Sequence, residues 1–298
     1  MKGFVPRIDV LIVTYNQKDS IKKAIDSVLE QSCDYPYRIH VADDFSNDGA
    51  REILLAYQQR YPQIINLIFS DKNFGSKKNF INALRYLTGD YYACLDGDDY
   101  WCDEKKLHKQ ISFLEENRDF VVCTHNTKIV NCGSLENKIR KKISDVFSVY
   151  DLLDGTISFH SSSAVFRNVF AGKIPHLQQD KDADDFFFMI LHALHGKIKY
   201  LDEVMSVYNL HQKGEWSTLN EKDKFYRTIE IMNFAKRVLD KKYAKYLECG
   251  IKKVRKLIYK RFTKNEKCSF VKKIFYYLEY RFNSYWVKLF SIVGKNEK

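Results

Sequence analysis

The first hundred residues alternate between short apolar runs and segments with helical spacing, and this pattern limits the fold more than any other feature. The apolar runs are rich in β-branched residues and occupy residues 8–14, 37–42, 64–69 and 91–95. Between them, apolar side chains recur every three or four residues, as on the buried face of a helix. Strands alternating with helices form parallel sheets with right-handed crossovers. The sequence therefore predicts an α/β fold, with helices flanking a mostly parallel sheet.

The fourth apolar run leads into an acidic cluster in which Asp96, Asp98 and Asp99 lie within four residues. Ligand sites in open α/β sheets lie at the carboxyl ends of strands, and this cluster occupies such an end. Carboxylate oxygens at this spacing suit a divalent ion such as Mg²⁺ or Mn²⁺. The alternative is an acidic turn built around Gly97, but the position at a strand end favours the metal site.

Several classes of protein are excluded by what the sequence lacks. The seven cysteines form no C-x-x-C pair, which argues against a zinc ribbon or a disulfide framework and favours a reducing compartment. The amino terminus has no apolar signal segment, and no apolar run reaches the about 18 residues of a membrane span. Neither a G-x-G-x-x-G nor a P-loop motif follows the first strand. Any bound nucleotide must therefore rely on a metal ion and side chains for its phosphates.

After residue 102 the alternation of predicted strands and helices is less regular. Strand-like segments at 120–124 and 162–166 are separated by a basic, polar stretch at 131–145 that we expect to be a loop. A helix is expected at 185–195, followed by an extended segment at 198–208. Beyond residue 221 the chain has a helical pattern.

Six short motifs follow one another in a characteristic order. They are Val-Thr-Tyr-Asn at 13–16, Ala-Asp-Asp-Phe-Ser-Asn-Asp-Gly at 42–49, Asn-Phe-Gly at 73–75, Leu-Asp-Gly-Asp-Asp-Tyr-Trp at 95–101, Asp-Asp at 184–185 and Tyr-Asn-Leu-His at 208–211. Together they resemble family 2 glycosyltransferases with the GT-A fold, over about residues 8–216. The resemblance implies a Rossmann-like sheet and an enzyme that transfers a sugar from a nucleotide-sugar.

The resemblance also implies where the donor binds. Tyr15 would stack on the nucleotide base, and Asp44 would accept a hydrogen bond from it, as uracil N3–H can give. Asp96 and Asp99 would hold the ribose or metal-bound waters. Independently of the resemblance, Lys78 or its neighbour Lys77, at the start of the third predicted helix, would add positive charge near the diphosphate, although a solvated helix face is the alternative. The donor-binding residues expected in full are Thr14, Tyr15, Asn16, Asp44, Lys78, Asp96 and Asp99.

For the metal and the chemistry, the resemblance implies that Asp98 and His211 bind Mn²⁺ or Mg²⁺. Asp185 would be the general base of a one-step, inverting transfer, because a carboxylate can take the proton of an attacking hydroxyl. Helix capping is the alternative for Asp184 and Asp185. The sequence departs from the family pattern at Asp184, where Glu or Gly is commoner, and at Asn209, where Arg is usual.

The carboxyl-terminal segment holds the whole excess of positive charge. Residues 251–298 contain 14 basic and 3 acidic residues, which accounts for the net charge of +11. Apolar side chains at 271–292 recur in steps of three and four with basic residues between them, as in a helix lying on an anionic membrane. A helix docked on the catalytic domain or on a second subunit is the alternative. No nucleic-acid-binding motif accompanies the charge, so we expect no nucleic-acid partner.

These observations predict two domains, a glycosyltransferase domain at 1–220 and a basic helical extension at 221–298. We expect a metal-dependent inverting enzyme that moves a hexose or N-acetylhexosamine, from a UDP-sugar, to a glycan or lipid-linked acceptor. It would act in cell-surface polysaccharide or lipooligosaccharide synthesis, in the cytoplasm and peripherally on the inner face of the membrane. Trp101 and Trp216 would form either an acceptor platform or part of the core. The alternatives are an inactive, membrane-attached assembly partner and a sugar nucleotidyltransferase.

Overall fold

The computed structural model describes residues 5–131, 137–139, 144–171, 184–211, 214 and 218–263. The strands in these residues are β1 Ile8–Thr14, β2 Tyr37–Asp43, β3 Ile65–Phe69, β4 Tyr91–Asp96, β5 Tyr100–Trp101, β6 Phe120–Asn131, β7 Asn137–Ile139, β8 Val146–Phe147, β9 Val165–Arg167 and β10 Lys197–Leu210. The α-helices are α1 Lys18–Leu29, α2 Ala50–Arg60, α3 Ser76–Leu84, α4 Lys106–Glu116, α5 Val149–Leu153, α6 Asp185–Ala193, α7 Glu221–Val238 and α8 Ala244–Thr263.

The chain packs as two compact units. The first comprises residues 1–149 and 159–214, and the second comprises 150–158 and 215–298. The domain boundary that the sequence suggests at residue 220 stays a prediction, and residues 150–158 belong with the carboxyl-terminal helices. The basic amphipathic pattern at 271–292 lies outside the described residues.

The first unit is built on one mixed sheet with the strand order β3-β2-β1-β4-β9-β6-β10-β5. Strands β1 to β4 run parallel, and β1 lies between β2 and β4. In this register Val13 of β1 is level with both Ala42 of β2 and Asp96 of β4. The carboxyl ends of three strands therefore meet at one edge of the sheet, which we call the carboxyl edge. The α/β fold class predicted from the sequence is confirmed.

The core explains why β1 is apolar at almost every position except Asp9. Its Ile8, Val10, Leu11 and Ile12 are all fully buried, since both faces of the sheet are covered. On α1 the apolar residues Ile21, Ala24, Ile25 and Val28 are also buried. Each buried isoleucine, leucine or valine side chain contributes roughly 1.5–3 kcal/mol through the removal of apolar surface from water.

The second half of the sheet is antiparallel in part. Strand β9 pairs antiparallel with both β4 and β6, and β10 pairs parallel with β6. The segment predicted as a strand at 162–166 begins instead with a 3₁₀ turn, Ser161–Ser163, that precedes β9. The polar stretch at 131–145 was expected to be a loop, but it includes β7, which pairs with β6.

In the second unit α7 and α8 pack closely, and Gly250 of α8 makes this possible. A Cβ atom added at Gly250 would lie 2.1 Å from the carbonyl oxygen of Leu153 and 2.5 Å from Cε of Met232. None of the described helices combines the length and the apolar character that a bilayer crossing requires.

Gly250→Ala should lower the free energy of unfolding by about 1–3 kcal/mol, since the added methyl group overpacks a site bounded by backbone. Urea denaturation would measure the loss. Cys249→Ala is the matched control, because Cys249 is exposed on the same helix turn. Equal stability of the two variants would contradict this close packing.

Candidate active site

The acidic loop, residues 96–99, is held tightly against the end of β1. Gly97 donates its N–H to the carbonyl of Val13 at 2.9 Å, and the N–H of Asp99 bonds to the carbonyl of Asp96 at 3.0 Å. A Cβ at Gly97 would lie 2.6 Å from Oε1 of Gln17 and 3.0 Å from Thr14. A larger residue here would force the Gln17 side chain to move and would crowd Thr14, so the close approach of the loop favours glycine.

The loops that follow β1 and β2 are tied to each other through Asn16. Its N–H donates to Oγ of Ser46 at 2.8 Å, and its Oδ1 accepts the N–H of Asn47 at 2.9 Å. Asn16 adopts a left-handed conformation with φ of 50°, which asparagine tolerates better than most residues. Its neighbour Tyr15 is 45% exposed, so its ring is available for a planar ligand, whereas Thr14 is buried.

Asp44 connects the end of β2 to the segment before α3. Its two carboxylate oxygens accept the N–H groups of Phe74 at 2.8 Å and Gly75 at 2.7 Å. The side chain is only 1% exposed. Since each carboxylate oxygen has two lone pairs, Asp44 retains acceptor capacity while it holds this turn.

Asp98 and His211 come together although 113 positions separate them in the sequence. The Nε2 atom of His211 lies 2.7 Å from Oδ2 of Asp98. Asn209, where the family usually has Arg, donates its side-chain N–H to the carbonyl of Asp98 at 2.6 Å. The end of β10 is thus fastened to the acidic loop by side chains of both Asn209 and His211.

Asp99 is the most enclosed carboxylate of the acidic loop. Burial raises its pKa well above the usual value, and the charges of Asp96 and Asp98 raise it further. Its Oδ1 accepts the N–H of Asn209 at 2.9 Å, while its buried Oδ2 has no hydrogen-bond partner among the described residues. A site in which carboxylates repel one another and a buried oxygen lacks a donor fits a divalent cation.

The protein ligands alone do not complete a metal cage. Within the described parts of the chain, no group of three His, Cys, Asp or Glu side chains is arranged to hold a metal ion. Mg²⁺ is commonly bound through one or two carboxylates together with substrate phosphates. The acidic loop with His211 fits that partial type of site, in which a ligand supplies the remaining positions.

Two residues at the acidic loop were missed by the sequence analysis. His160 lies with Nε2 3.7 Å from Oδ2 of Asp99, and Ser161 donates from Oγ to Oδ2 of Asp96 at 3.3 Å. Both belong to the turn that precedes β9, and the His160 ring packs on Tyr208 with centroids 4.4 Å apart. The run His-Ser-Ser-Ser before a strand was the available signal, because such polar residues favour turns and caps over strands.

The two aspartates at the start of α6 have different roles. Asp184 caps the helix, since its Oδ1 accepts the N–H groups of Phe186 at 3.0 Å and Phe187 at 3.1 Å. Asp185 is the first helical residue and is exposed. Its charge, together with that of Asp96, raises the pKa of the buried Cys94 thiol in β4 beyond the effect of burial. Asp185 therefore lies within electrostatic reach of Cys94, which precedes the acidic loop by two residues.

The remaining candidate residues are Lys78, Trp101 and Trp216. Lys78 is exposed on α3, with Nζ 4.7 Å from the centroid of the Phe74 ring. Trp101 is only 4% exposed, and its Nε1 donates to the carbonyl of Ser162 at 3.0 Å, so it belongs to the core. Trp216 lies outside the described residues.

A buried lysine packs on Trp101, two residues beyond the acidic loop. Nζ of Lys106 is 4.1 Å from the centroid of Trp101 and 2.8 Å from Oε1 of Gln110. Burial lowers the pKa of Lys106 to about 7, and the neighbouring Cys123 and Cys94 offset this only in part. The rigid Trp101–Lys106 contact supports the strand that continues from the loop.

The comparison with protein families decides the classification of the chain. The model of glycosyl transferase family 2 matches residues 9–171, which is more than half of the sequence. The chain belongs to glycosyltransferase family 2. The resemblance described from the sequence motifs is therefore confirmed.

Curated relatives of this glycosyltransferase come from several bacteria. It is 29% identical over 228 residues to an uncharacterized protein of Mycobacterium tuberculosis, covering 74% of this chain and 64% of that protein. It is 27% identical to the putative teichuronic acid biosynthesis glycosyltransferase TuaG of Bacillus subtilis, covering 79% of this chain and 93% of the relative. The chain thus spans less than two thirds of the length of the mycobacterial relative.

Solved structures share the fold of this family member. Staphylococcus aureus TarS 1–349 in complex with UDP-GlcNAc matches with a TM-score of 0.61 and 17% identity, covering 90% of this chain and 77% of TarS 1–349. The mannosyltransferase PcManGT from Pyrobaculum calidifontis, in complex with GDP-Man and Mn²⁺, matches with a TM-score of 0.63 and 16% identity, covering 98% and 80%. These likenesses confirm the predicted GT-A fold.

Lys106→Met should change how stability depends on pH. An unfolded lysine keeps its proton up to about pH 10.4, whereas folded Lys106 releases its proton near pH 7. Between these values the unfolded state binds more protons, so Lys106 makes the protein more stable as the pH rises. The free energy of unfolding of Lys106→Met, minus that of the wild type, should therefore be greatest below pH 7 and decline toward pH 10. Urea denaturation across this range would measure the difference.

The control for this experiment is Lys105→Met, because Lys105 precedes Lys106 and is exposed. Its stability relative to the wild type should not vary with pH in the same range. A parallel pH dependence of the two variants would contradict the burial of Lys106 as its cause.

Proposed function

We propose that this glycosyltransferase is a metal-dependent inverting enzyme that transfers a sugar from a UDP-sugar to a hydroxyl group of a glycan or lipid-linked acceptor. The observation that carries the proposal is the convergence of Asp98 and His211, 2.7 Å apart, at the carboxyl edge of the sheet. The loops bearing Tyr15 and Asp44 end at the same edge. Ligands of α/β sheets bind at such an edge.

The donor base would bind between the loops after β1 and β2. The exposed ring of Tyr15 offers a stacking surface, and Asp44 offers acceptor oxygens fixed by the Phe74 and Gly75 amides. A uracil N3–H is a donor that matches such an acceptor. Thr14 and Asn16 would shape the floor of this site, and the UDP-GlcNAc complex of TarS supports a UDP-sugar.

Asp98 and His211 would hold Mn²⁺ or Mg²⁺, and the other coordination positions would be left to the donor diphosphate. The bound ion would offset the negative charge that develops on the leaving diphosphate. The Mn²⁺ in the PcManGT complex supports this choice of metal. Asp96 and Asp99 would order the ribose or metal-bound water, and Lys78 would add a further positive charge from α3.

Asp185 would act as the general base. It is exposed at the first turn of α6, where the helix dipole favours the ionised form of a carboxylate. From there it would take the proton of the acceptor hydroxyl while that oxygen attacks the anomeric carbon. Attack from the face opposite the leaving diphosphate inverts the configuration, and such general base catalysis is worth about 10²–10⁴-fold.

The acceptor and the location are proposed from the relatives and from the charge of α8. TuaG points to the synthesis of cell-surface polysaccharide, and either a hexose or an N-acetylhexosamine would be transferred. We assign residues 1–220 to catalysis and 221–298 to an extension that contacts anionic lipid on the inner face of the cytoplasmic membrane. One face of α8 supports this, with exposed Lys245, Lys252, Lys256 and Lys260 beside exposed Leu257.

The first test is a donor screen, in which the protein is incubated with Mn²⁺ and each common UDP-, GDP- and CMP-sugar. The measurement is the release of nucleotide by slow hydrolysis of the sugar-nucleotide. Release should occur with one UDP-sugar and should require the metal. Asp98→Ala should abolish both release and metal-dependent donor binding, whereas Asp34→Ala, on an exposed residue before β2 at the opposite end of the parallel strands, should match the wild type. Absence of release with every donor, and of a thermal shift by UDP with Mn²⁺, would favour an inactive assembly partner.

Asp185→Asn should keep donor binding but reduce transfer by about 10²–10⁴-fold, since the amide cannot accept the proton of the hydroxyl. Binding would be measured by calorimetry with UDP and Mn²⁺, and transfer by sugar incorporation into an acceptor. Asp184→Asn is the matched control, because asparagine also caps helices well. Unchanged transfer in Asp185→Asn would reject this base.

A further inference from the structure

The buried Oδ2 oxygen of Asp99 lies beside a side chain to which the proposed function assigns no role. Asp99 is 1% exposed, and the Asn209 amide satisfies only its Oδ1. Oδ2 is buried without a hydrogen-bond partner in the described part of the chain. Such an oxygen costs free energy unless a donor reaches it. The imidazole of His160 faces it, with Nε2 at 3.7 Å.

The His160 ring is oriented so that a proton can point at Asp99. His160 caps the turn Ser161–Ser163: its Nδ1 accepts the N–H of Ser162 at 3.4 Å and lies 2.7 Å from Oγ of Ser162, a hydroxyl that can donate to the same nitrogen. A neutral imidazole that accepts at Nδ1 carries its proton on Nε2. The ring also lies against Tyr208 of β10, with centroids 4.4 Å apart, which limits its rotation.

Asp99 in turn fixes the segment that presents the proposed metal ligands. Its bond to the Asn209 amide holds the end of β10, and the Asn209 side chain donates back to the carbonyl of Asp98. His211 follows two residues later and contacts Asp98. A change in the position of Asp99 therefore changes the separation of Asp98 and His211.

We propose that His160 is a positioning residue, which donates from Nε2 to Oδ2 of Asp99 in the donor-bound enzyme and thereby holds Asp98 and His211 at the separation that binds the metal. The distance between Nε2 of His160 and Oδ2 of Asp99 is 3.7 Å, and a shift of less than 1 Å brings it into the range of a hydrogen bond. The inference rests on the proposed function, since it concerns the same metal site. It goes further by assigning a role to the turn before β9.

A capping role alone does not require a histidine. Asparagine, serine or aspartate caps a turn as well, and none of them places a second nitrogen toward Asp99. The variants therefore test the contribution of the ring and that of its Nε2–H one at a time. His160→Phe keeps a ring on Tyr208 and removes both nitrogens. In His160→Gln the side-chain amide N–H extends about as far as Nε2 of the imidazole.

The experiment measures the Kd of Mn²⁺ in the presence of UDP, from the electron paramagnetic resonance signal of the free ion. Groups that orient metal ligands typically contribute 10–100-fold in affinity. We expect His160→Phe to raise the Kd by about 10-fold or more, and His160→Gln to recover most of that loss. His108→Phe, at a partly exposed histidine of α4, should leave the Kd unchanged. Thermal unfolding identifies any variant that fails to fold.

A double-mutant cycle with Asp99→Asn tests whether His160 acts through Asp99. His160→Phe should have no further effect on the Kd in the Asp99→Asn background. In that background an amide replaces the carboxylate that accepts the Nε2–H of His160. Additive effects of the two substitutions would overturn the inference, and so would an unchanged Kd in His160→Phe. A wild-type protein that binds no Mn²⁺ with UDP would reject the proposed function, and the inference with it.

Discussion

Repulsion among the carboxylates of Asp96, Asp98 and Asp99 is the constraint on which the carboxyl edge of the sheet depends. Gly97 donates its N–H to the carbonyl of Val13 and so holds this loop at the end of β1. Each of the three carboxylates is hydrogen-bonded by a neighbouring residue: Ser161 bonds to Asp96, His211 to Asp98 and the backbone amide of Asn209 to Asp99. These donors come from two distant segments, the turn before β9 and the end of β10. The acidic loop thus organises the contacts between both halves of the sheet.

The parallel half of the fold could be predicted closely from the sequence. Strand β1 has the predicted bounds, and β2 and β3 differ by one residue, because β-branched runs bounded by polar turns fix a buried strand well. The order of the motifs correctly indicated the family. It also indicated that residues 98 and 211 belong to one site, and the structure places these two side chains in contact.

The remainder depends on tertiary contacts that local patterns do not contain. His160 reaches the acidic loop only because β9 inserts antiparallel between β4 and β6, and no periodicity within the segment shows this insertion. Lys106 is fully buried, contrary to the general preference of lysine for the surface, because Trp101 and Gln110 provide a ring face and an oxygen. The burial of Trp101 itself could not be inferred, since an aromatic residue after a strand suits either a core or a surface.

Under the proposed function, Asp44 would link the recognition of the donor to the order of a loop. Both of its oxygens hold the backbone before α3, and the residue is almost fully buried. Replacing it to admit another nucleotide would release the Phe74–Gly75 turn at the same time, so loss of affinity and loss of loop order would occur together. Tyr15 is 45% exposed, so under the proposed function it would be the better starting position for redesigning nucleotide choice.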